Sequence, residues 1–210
     1  FISMSPEKIL EKMENVIRKF FHFSQIKFSS FAMASFTVVR DLEPGKGNFL
    51  LVDVGGELTE VFMVKKNVLH SSASFPLGRN FFSRGVAAAL GTTLSEAESL
   101  ISLWLDHHAE TAVTQKLSGV MEKLKTEWLK KFQESLAGLS GDLAVPAAVY
   151  LSADMNFSDL FSDAIASEQW SQYTLAESKF EITVLSLELL HNLALFEEAT
   201  SREPLLLIDA

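Results

Sequence analysis

The stretch that decides the fold reads Phe49-Leu50-Leu51-Val52-Asp53-Val54-Gly55-Gly56-Glu57-Leu58-Thr59-Glu60-Val61-Phe62-Met63-Val64, followed by Lys65-Lys66-Asn67 and then Val68 to Gly78. Phe49 to Val52 is a continuous apolar run, as is most of Leu58 to Val64, and both suit strands buried on two faces. A turn at 65–67 leads into a third strand, Val68 to Phe75. The spacing therefore predicts a three-stranded meander ending at Pro76-Leu77-Gly78. Within it, Gly55-Gly56 leaves backbone N–H groups open to a close-approaching anion such as phosphate. Taken alone, a two-glycine turn between buried strands is most often only a turn.

Working outward, a helix is expected from about Asn80 to Leu90. Thr93-Leu94-Ser95-Glu96 has the capping-box pattern that opens another, running past Trp104. Val113, Leu117, Val120, Met121, Leu124, Trp128, Leu129, Phe132 and Leu136 keep a three-to-four spacing, which predicts one long amphipathic helix between His107 and Leu139. Gly138-Leu139-Ser140-Gly141 should end it. A strand follows at Ala147 to Leu151, then a turn at Ser152-Ala153-Asp154, a helix from Phe157 to Ala166, a strand at Phe180 to Leu185 and a helix at Leu187 to Phe196.

Before the meander, Ile9, Leu10, Met13, Val16, Ile17, Phe20 and Phe21 fall on one helical face between Ser5 and Phe21, with Ser5 expected as N-cap and Pro6 in the first turn. Gln25 to Ser29 reads as a short strand and Ser30 to Val39 as a small-residue helix or turn. A loop at 41–48, rich in Pro and Gly, separates these elements from Phe49. Phe1-Ile2-Ser3 resembles the end of a strand, and Leu205 to Ile208 is an apolar run near the last residue. Both ends read as cut from a larger parent.

Composition narrows the classes. The chain is 48% hydrophobic with 17 Phe against 2 Tyr and 3 Trp, enough to build a core of rings without polar tips. A net charge of −9 argues against nucleic acid, which needs clustered Lys and Arg. Lys123, Lys125, Lys130 and Lys131 alternate with Glu122, Glu127 and Glu134, the pattern of a solvated helix face. With no cysteine, disulfides, thiolate catalysis and Cys-based zinc sites are excluded. No apolar run approaches the ~20 residues that span a bilayer. His107-His108 beside Asp106 and Glu110 offers ligand-type groups, but adjacent helical positions diverge by about 100° and cannot readily share one ion. His22, His70 and His191 lack a nucleophile elbow and read as structural.

The order Leu-Leu-Val-Asp-Val-Gly-Gly-x-x-Thr-Glu, a hairpin, Phe75-Pro76-Leu77-Gly78-Arg79-Asn80, a helix with Ala87-Ala88-Ala89-Leu90-Gly91, then Ser95-Glu96-Ala97-Glu98 resembles the second half of the FtsA/PilM family of actin-like proteins. The resemblance implies an α/β, actin-like (ribonuclease H-like) fold with a mixed sheet flanked by helices. It implies that 1–47 close a first subdomain, that 48–210 form the second, and that about 107–142 make a helical insertion. In that family a loop like Asp53 to Glu60 binds nucleotide phosphates and a helix like that of Glu98 approaches the nucleoside. The strand, turn and helix at 147–166 stand where the family binds adenosine.

Carried over residue by residue, Asp53, Gly55, Gly56 and Thr59 match the phosphate loop, Glu98 keeps its place, and Ser152 and Asp154 stand at the adenosine turn. Three departures weaken the site. Glu57 replaces a glycine, and at unit charge and about 4 Å from a phosphate its repulsion is on the order of 4 kcal/mol at an effective dielectric near 20. Ile101 stands where a lysine is expected, and Ser152-Ala153-Asp154-Met155 replaces consecutive glycines. The family's first phosphate loop would precede residue 1.

The expectation is a scaffold with a degenerate nucleotide site, binding ATP and Mg weakly or not at all and without catalytic residues; an active ATPase or kinase of the same superfold is the alternative. The implied partners are proteins, either the tail of a division filament or the cytoplasmic peptide of an inner-membrane pilus protein, with a homo-oligomer left open. The implied location is cytoplasmic, at the inner face of the bacterial cell membrane, with peripheral attachment through missing segments or partners. A third possibility, a plain α/β interaction module, would be rejected by finding the meander and the Ala147 to Leu151 strand in one sheet.

Overall fold

A computed structural model of the chain describes residues 4–21, 25–108, 110–140, 144–174 and 179–190. Its elements are α1 (Glu7–Phe20), α2 (Phe31–Leu42), β1 (Phe49–Val54), β2 (Thr59–Lys65), β3 (Val68–Phe75), α3 (Arg79–Leu90), α4 (Leu94–Leu105), α5 (Thr111–Ser140), β4 (Ala148–Ala153), α6 (Ser158–Ser167), β5 (Glu181–Val184) and α7 (Leu187–Leu190). The strands form one mixed sheet in the order β3-β2-β1-β4-β5. The meander pairs antiparallel, while β4 enters beside β1 in parallel, Leu51 opposite Tyr150 and Asp53 opposite Ser152. With the meander and β4 in one sheet, the plain interaction module is rejected.

Local chemistry explains the joints. Lys66 and Asn67 both have positive φ, 51° and 58°, the type I′ geometry whose twist matches an antiparallel pair. Thr93 and Glu96 form the expected capping box at α4. Gly91, at φ 66°, ends α3 in the left-handed conformation that favours glycine.

β1 is buried at five of its six positions because helices cover the sheet on both sides. On one side Leu50, Val52, Val54, Val61 and Leu151 meet α3, α4, α5 and α6 through Phe82, Ile101, Trp128, Phe132 and Phe161. Trp128 stacks on Phe132 at 5.3 Å between ring centroids and meets Phe75 edge-on at 5.7 Å. On the other side Phe49, Leu51, Phe62 and Tyr150 pack with Ala32, Phe36 and Val39 of α2. Burying such rings is worth about 1.5–3 kcal/mol each.

Several expectations are corrected. Ser5 does not cap α1; Pro6 holds the N-cap position with no side-chain cap. The apolar face of α1 is present but covered by nothing described: none of its residues is buried, and Phe20 is 70% exposed. Residues 25–30 form no strand, since an apolar alternation becomes a strand only where a sheet edge pairs with it. α5 runs through Gly138 to Ser140, and β4 continues through Ser152 and Ala153, so the turn is Asp154 to Phe157, closed by Phe157 N–H donating to Asp154 O. Residues 191–196 of the last expected helix and the run 205–208 lie outside the described residues. No described helix is long and apolar enough to cross a membrane.

Candidate functional site

β1 and β4 run parallel and end together, which places the turns after Val54 and Ala153 side by side at the carboxyl edge of the sheet, where open α/β sheets bind ligands. After Val54 the chain reverses, Gly55 N–H donating to Leu58 O at 3.0 Å. The carbonyls of Gly55 and Gly56 accept from Arg79 N and Asn80 N, at 2.9 and 2.8 Å. These are first-turn donors of α3 that would otherwise have no intrahelical partner. The contact is close: a Cβ on Gly78 would lie 2.4 Å from Gly55 O and 2.6 Å from Gly56 O. The glycine pair is thus docked through its carbonyls on the start of α3.

Glu57 leans onto α3. One carboxylate oxygen accepts from Asn80 Nδ2 and Arg84 Nη1, each at 2.9 Å, and the other accepts from Arg84 Nη2 at 2.9 Å. This bidentate pair holds the Glu57 carboxyl down at about 2, Arg84 being the larger cause and Asn80 the next. The charge expected to repel a phosphate is neutralised by a neighbour that sequence offered no means to pair with it.

Thr59 turns inward. It is fully buried, its hydroxyl donating to Leu77 O at 2.8 Å and accepting from Trp128 Nε1 at 3.1 Å. Asp53 and Ser152 are register partners, and Asp53 also stands opposite Glu60. By alternation along β1 they lie on the face that Phe49 and Leu51 turn to α2. Ser152 is buried and its Oγ finds no partner among the described residues.

Asp154 follows β4 as the pivot of the turn. Its Oδ1 accepts from Asn156 N at 3.1 Å, while its Oδ2 accepts from Arg79 Nη1 in an ion pair. That pair joins the first turn of α3 to the turn before α6. Around it lies a crevice of about 190 Å³, with Arg79, Ser83, Glu98 and Ser102 on one wall and Asp154, Asn156 and Phe157 on the other. The structure therefore brings Glu98 and Asp154 together and bonds Gly55 and Gly56 to the backbone of Arg79 and Asn80. It leaves Thr59 in the core and puts Asp53 and Ser152 on the other face of the sheet. Ile101, where a lysine was expected, is fully buried, so that position serves packing.

Arg79, Asn80, Ser83 and Arg84 are site residues that sequence reasoning passed over. The Arg79-Asn80 pair directly after Pro-Leu-Gly is the signal that could have found the first two. His107 and His108 are exposed in the turn after α4, and no cluster of three metal-ligating side chains occurs among the described residues.

A mixed sheet built from an antiparallel meander, a crossover through α3 to α5 and a returning parallel strand, with a crevice at the ends of β1 and β4, defines an actin-like fold. The solved structure of MreB 5 from Spiroplasma citri bound to AMPPNP aligns with a TM-score of 0.52 at 14% identity, over 87% of this chain and 61% of that one. EutJ, the ethanolamine utilization protein of Carboxydothermus hydrogenoformans, aligns at 0.44 and 19% identity over 72% of this chain and 48% of that one. A chain of the PilM-PilN type IV pilus biogenesis complex aligns at 0.47 and 18%, over 67% and 40%. These neighbours are members of the actin-like ATPase superfamily, and the chain spans between 40% and 61% of their lengths. No protein-family model and no curated protein sequence matches the chain.

Proposed function

We propose that this chain is part of a non-enzymatic actin-like scaffold of the FtsA/PilM kind, working at the inner face of a bacterial membrane, where it links a filament or machine in the cytoplasm to a membrane assembly. The observation that carries the reading is the Arg79–Asp154 ion pair, which spans the crevice a nucleoside would enter and occupies the guanidinium lining it with a side chain of the protein. Two arrangements support it. The Thr59 hydroxyl is spent on Leu77 and Trp128 in the core, and Arg84 is held by Glu57, so neither stands ready for a phosphate. In this reading the glycine turn is retained to seat β1 on α3, and the partner is a short protein segment, either a filament tail or the cytoplasmic peptide of a membrane protein. A thermal-shift titration with Mg-ATP, paired with a phosphate-release assay, tests it. No shift at micromolar nucleotide and no turnover are expected; a shift at that concentration, or steady release, overturns the reading in favour of an active ATPase or kinase.

A further inference from the structure

The crevice contains a polar group that the protein leaves unused. Ser83 lies in the middle of α3, is only 2% exposed, lines the crevice, and its Oγ has no hydrogen-bond partner among the described residues. A buried hydroxyl without a partner is unfavourable, and any ligand or water that reaches it relieves that penalty. Around it the lining is rich in neutral and acceptor groups. Ser102 adds a second hydroxyl, Asn156 an amide and Glu98 a carboxylate, while Phe157 supplies an apolar wall.

Charge and size select among ligands. The Arg79 and Asp154 charges compensate one another, leaving the Glu98 carboxylate without an ion-pair partner among the described residues and the chain at −9, which disfavours an anion. At about 190 Å³ the space equals some six water volumes at ~30 Å³ each and falls below the ~300 Å³ where drug-sized pockets begin. A single hydroxyl-bearing ring fits that room. Its O–H groups can donate to Glu98, accept from Asn156 and Ser102, and satisfy Ser83, while its C–H face meets Phe157.

We infer that the crevice between α3, α4 and the Asp154 turn binds a small neutral polyol, a sugar-like ring, through Ser83 and Glu98. This rests on the degenerate-site reading above and names the ligand class that takes the place of a nucleotide.

Amide chemical-shift mapping of the full chain with D-ribose, D-glucose and myo-inositol, each up to tens of millimolar, tests it. At least one ring is expected to shift the amides of Ser83, Glu98 and Asn156 with millimolar affinity. Ser83→Ala should weaken that binding about three- to tenfold, Glu98→Gln about tenfold, and Lys131→Ala, at a partly exposed position on α5 away from the crevice, should leave it unchanged. The inference is overturned if none of the three rings moves those amides, which leaves only an ordered water for Ser83, or if the shifts survive both substitutions. A parallel Mg-ATP titration separates the two ideas. Micromolar ATP binding removes the degenerate-site reading and this inference together, whereas silence from both ATP and the polyols removes this inference alone.

Discussion

Gly78→Ala is the substitution that most directly interrogates how the glycine turn is seated. Gly78 has φ −108° and ψ −164°, an extended conformation open to any residue, so backbone strain does not dictate glycine there. Space does. The added methyl would sit 2.4 Å from Gly55 O, 2.6 Å from Gly56 O and 2.7 Å from Gly56 C, all backbone atoms, none able to rotate away. Relief requires the β1–β2 turn to move off α3, which stretches the Arg79 N to Gly55 O and Asn80 N to Gly56 O bonds of 2.9 and 2.8 Å. Overpacking costs about 1–3 kcal/mol and each of the two weakened bonds about 0.5–1.5 kcal/mol, so a total loss of about 2–6 kcal/mol is expected. For a chain of this size that corresponds to a fall in Tm of about 4–24 °C. Urea denaturation followed by circular dichroism measures it, with Gly138→Ala as the control. Gly138 is helical with nothing within 4 Å of its added methyl, and should gain about 0.5–1 kcal/mol. A Gly78→Ala protein within about 0.5 kcal/mol of the parent would refute the docking described here.

Thr59→Val keeps the shape but removes the hydroxyl that accepts from Trp128 Nε1, and leaving that buried indole N–H unpaired should cost about 1–3 kcal/mol in urea unfolding; an unchanged midpoint would speak against the bond. The Glu57 carboxyl, held down at about 2 by Arg84 and Asn80, makes a pH prediction. Its pKa is lower folded than unfolded, so the clamp's contribution is fully present above about 4.5 and fades as pH falls toward 2. Carboxyl-carbon NMR should find its midpoint near 2 in the parent and back in the ordinary carboxylate range in Arg84→Ala, and a parent midpoint in that ordinary range would contradict the clamp. Arg79→Ala removes an ion pair whose side chains are 41% and 25% exposed; it should change stability by no more than about 1 kcal/mol, and a loss well beyond that would show the pair to be part of the core rather than a bridge over it.

Sequence alone determined what depends on neighbours along the chain. The meander at 49–75, the capping box at Thr93 and the 3.6-residue spacing of α5 are local patterns, and local patterns survive into the fold because hydrogen bonding and side-chain alternation act over a few residues. The actin-like fold was legible for the same reason: buried runs, glycine turn and helices follow one another in a fixed order between Phe49 and Glu98. The motif also named Glu98 and Asp154, which line one crevice in the folded chain.

What the sequence could not determine is which way each side chain faces once distant segments meet. Thr59 reads as a phosphate-loop residue until Trp128, 69 positions on, claims its hydroxyl. Glu57 reads as an obstacle to anions until Arg84 neutralises it from α3. Arg79 stands out after Pro-Leu-Gly, but its partner is set only when β4 returns beside β1 and delivers Asp154 to it, 75 positions away. The face of α1 shows the converse, since its amphipathic spacing is plain in the sequence while its burial depends on a surface that no described segment supplies. Periodicity is a property of the chain, but partnership is a property of the folded molecule, because ion pairs and buried hydrogen bonds depend on distances that only tertiary packing sets.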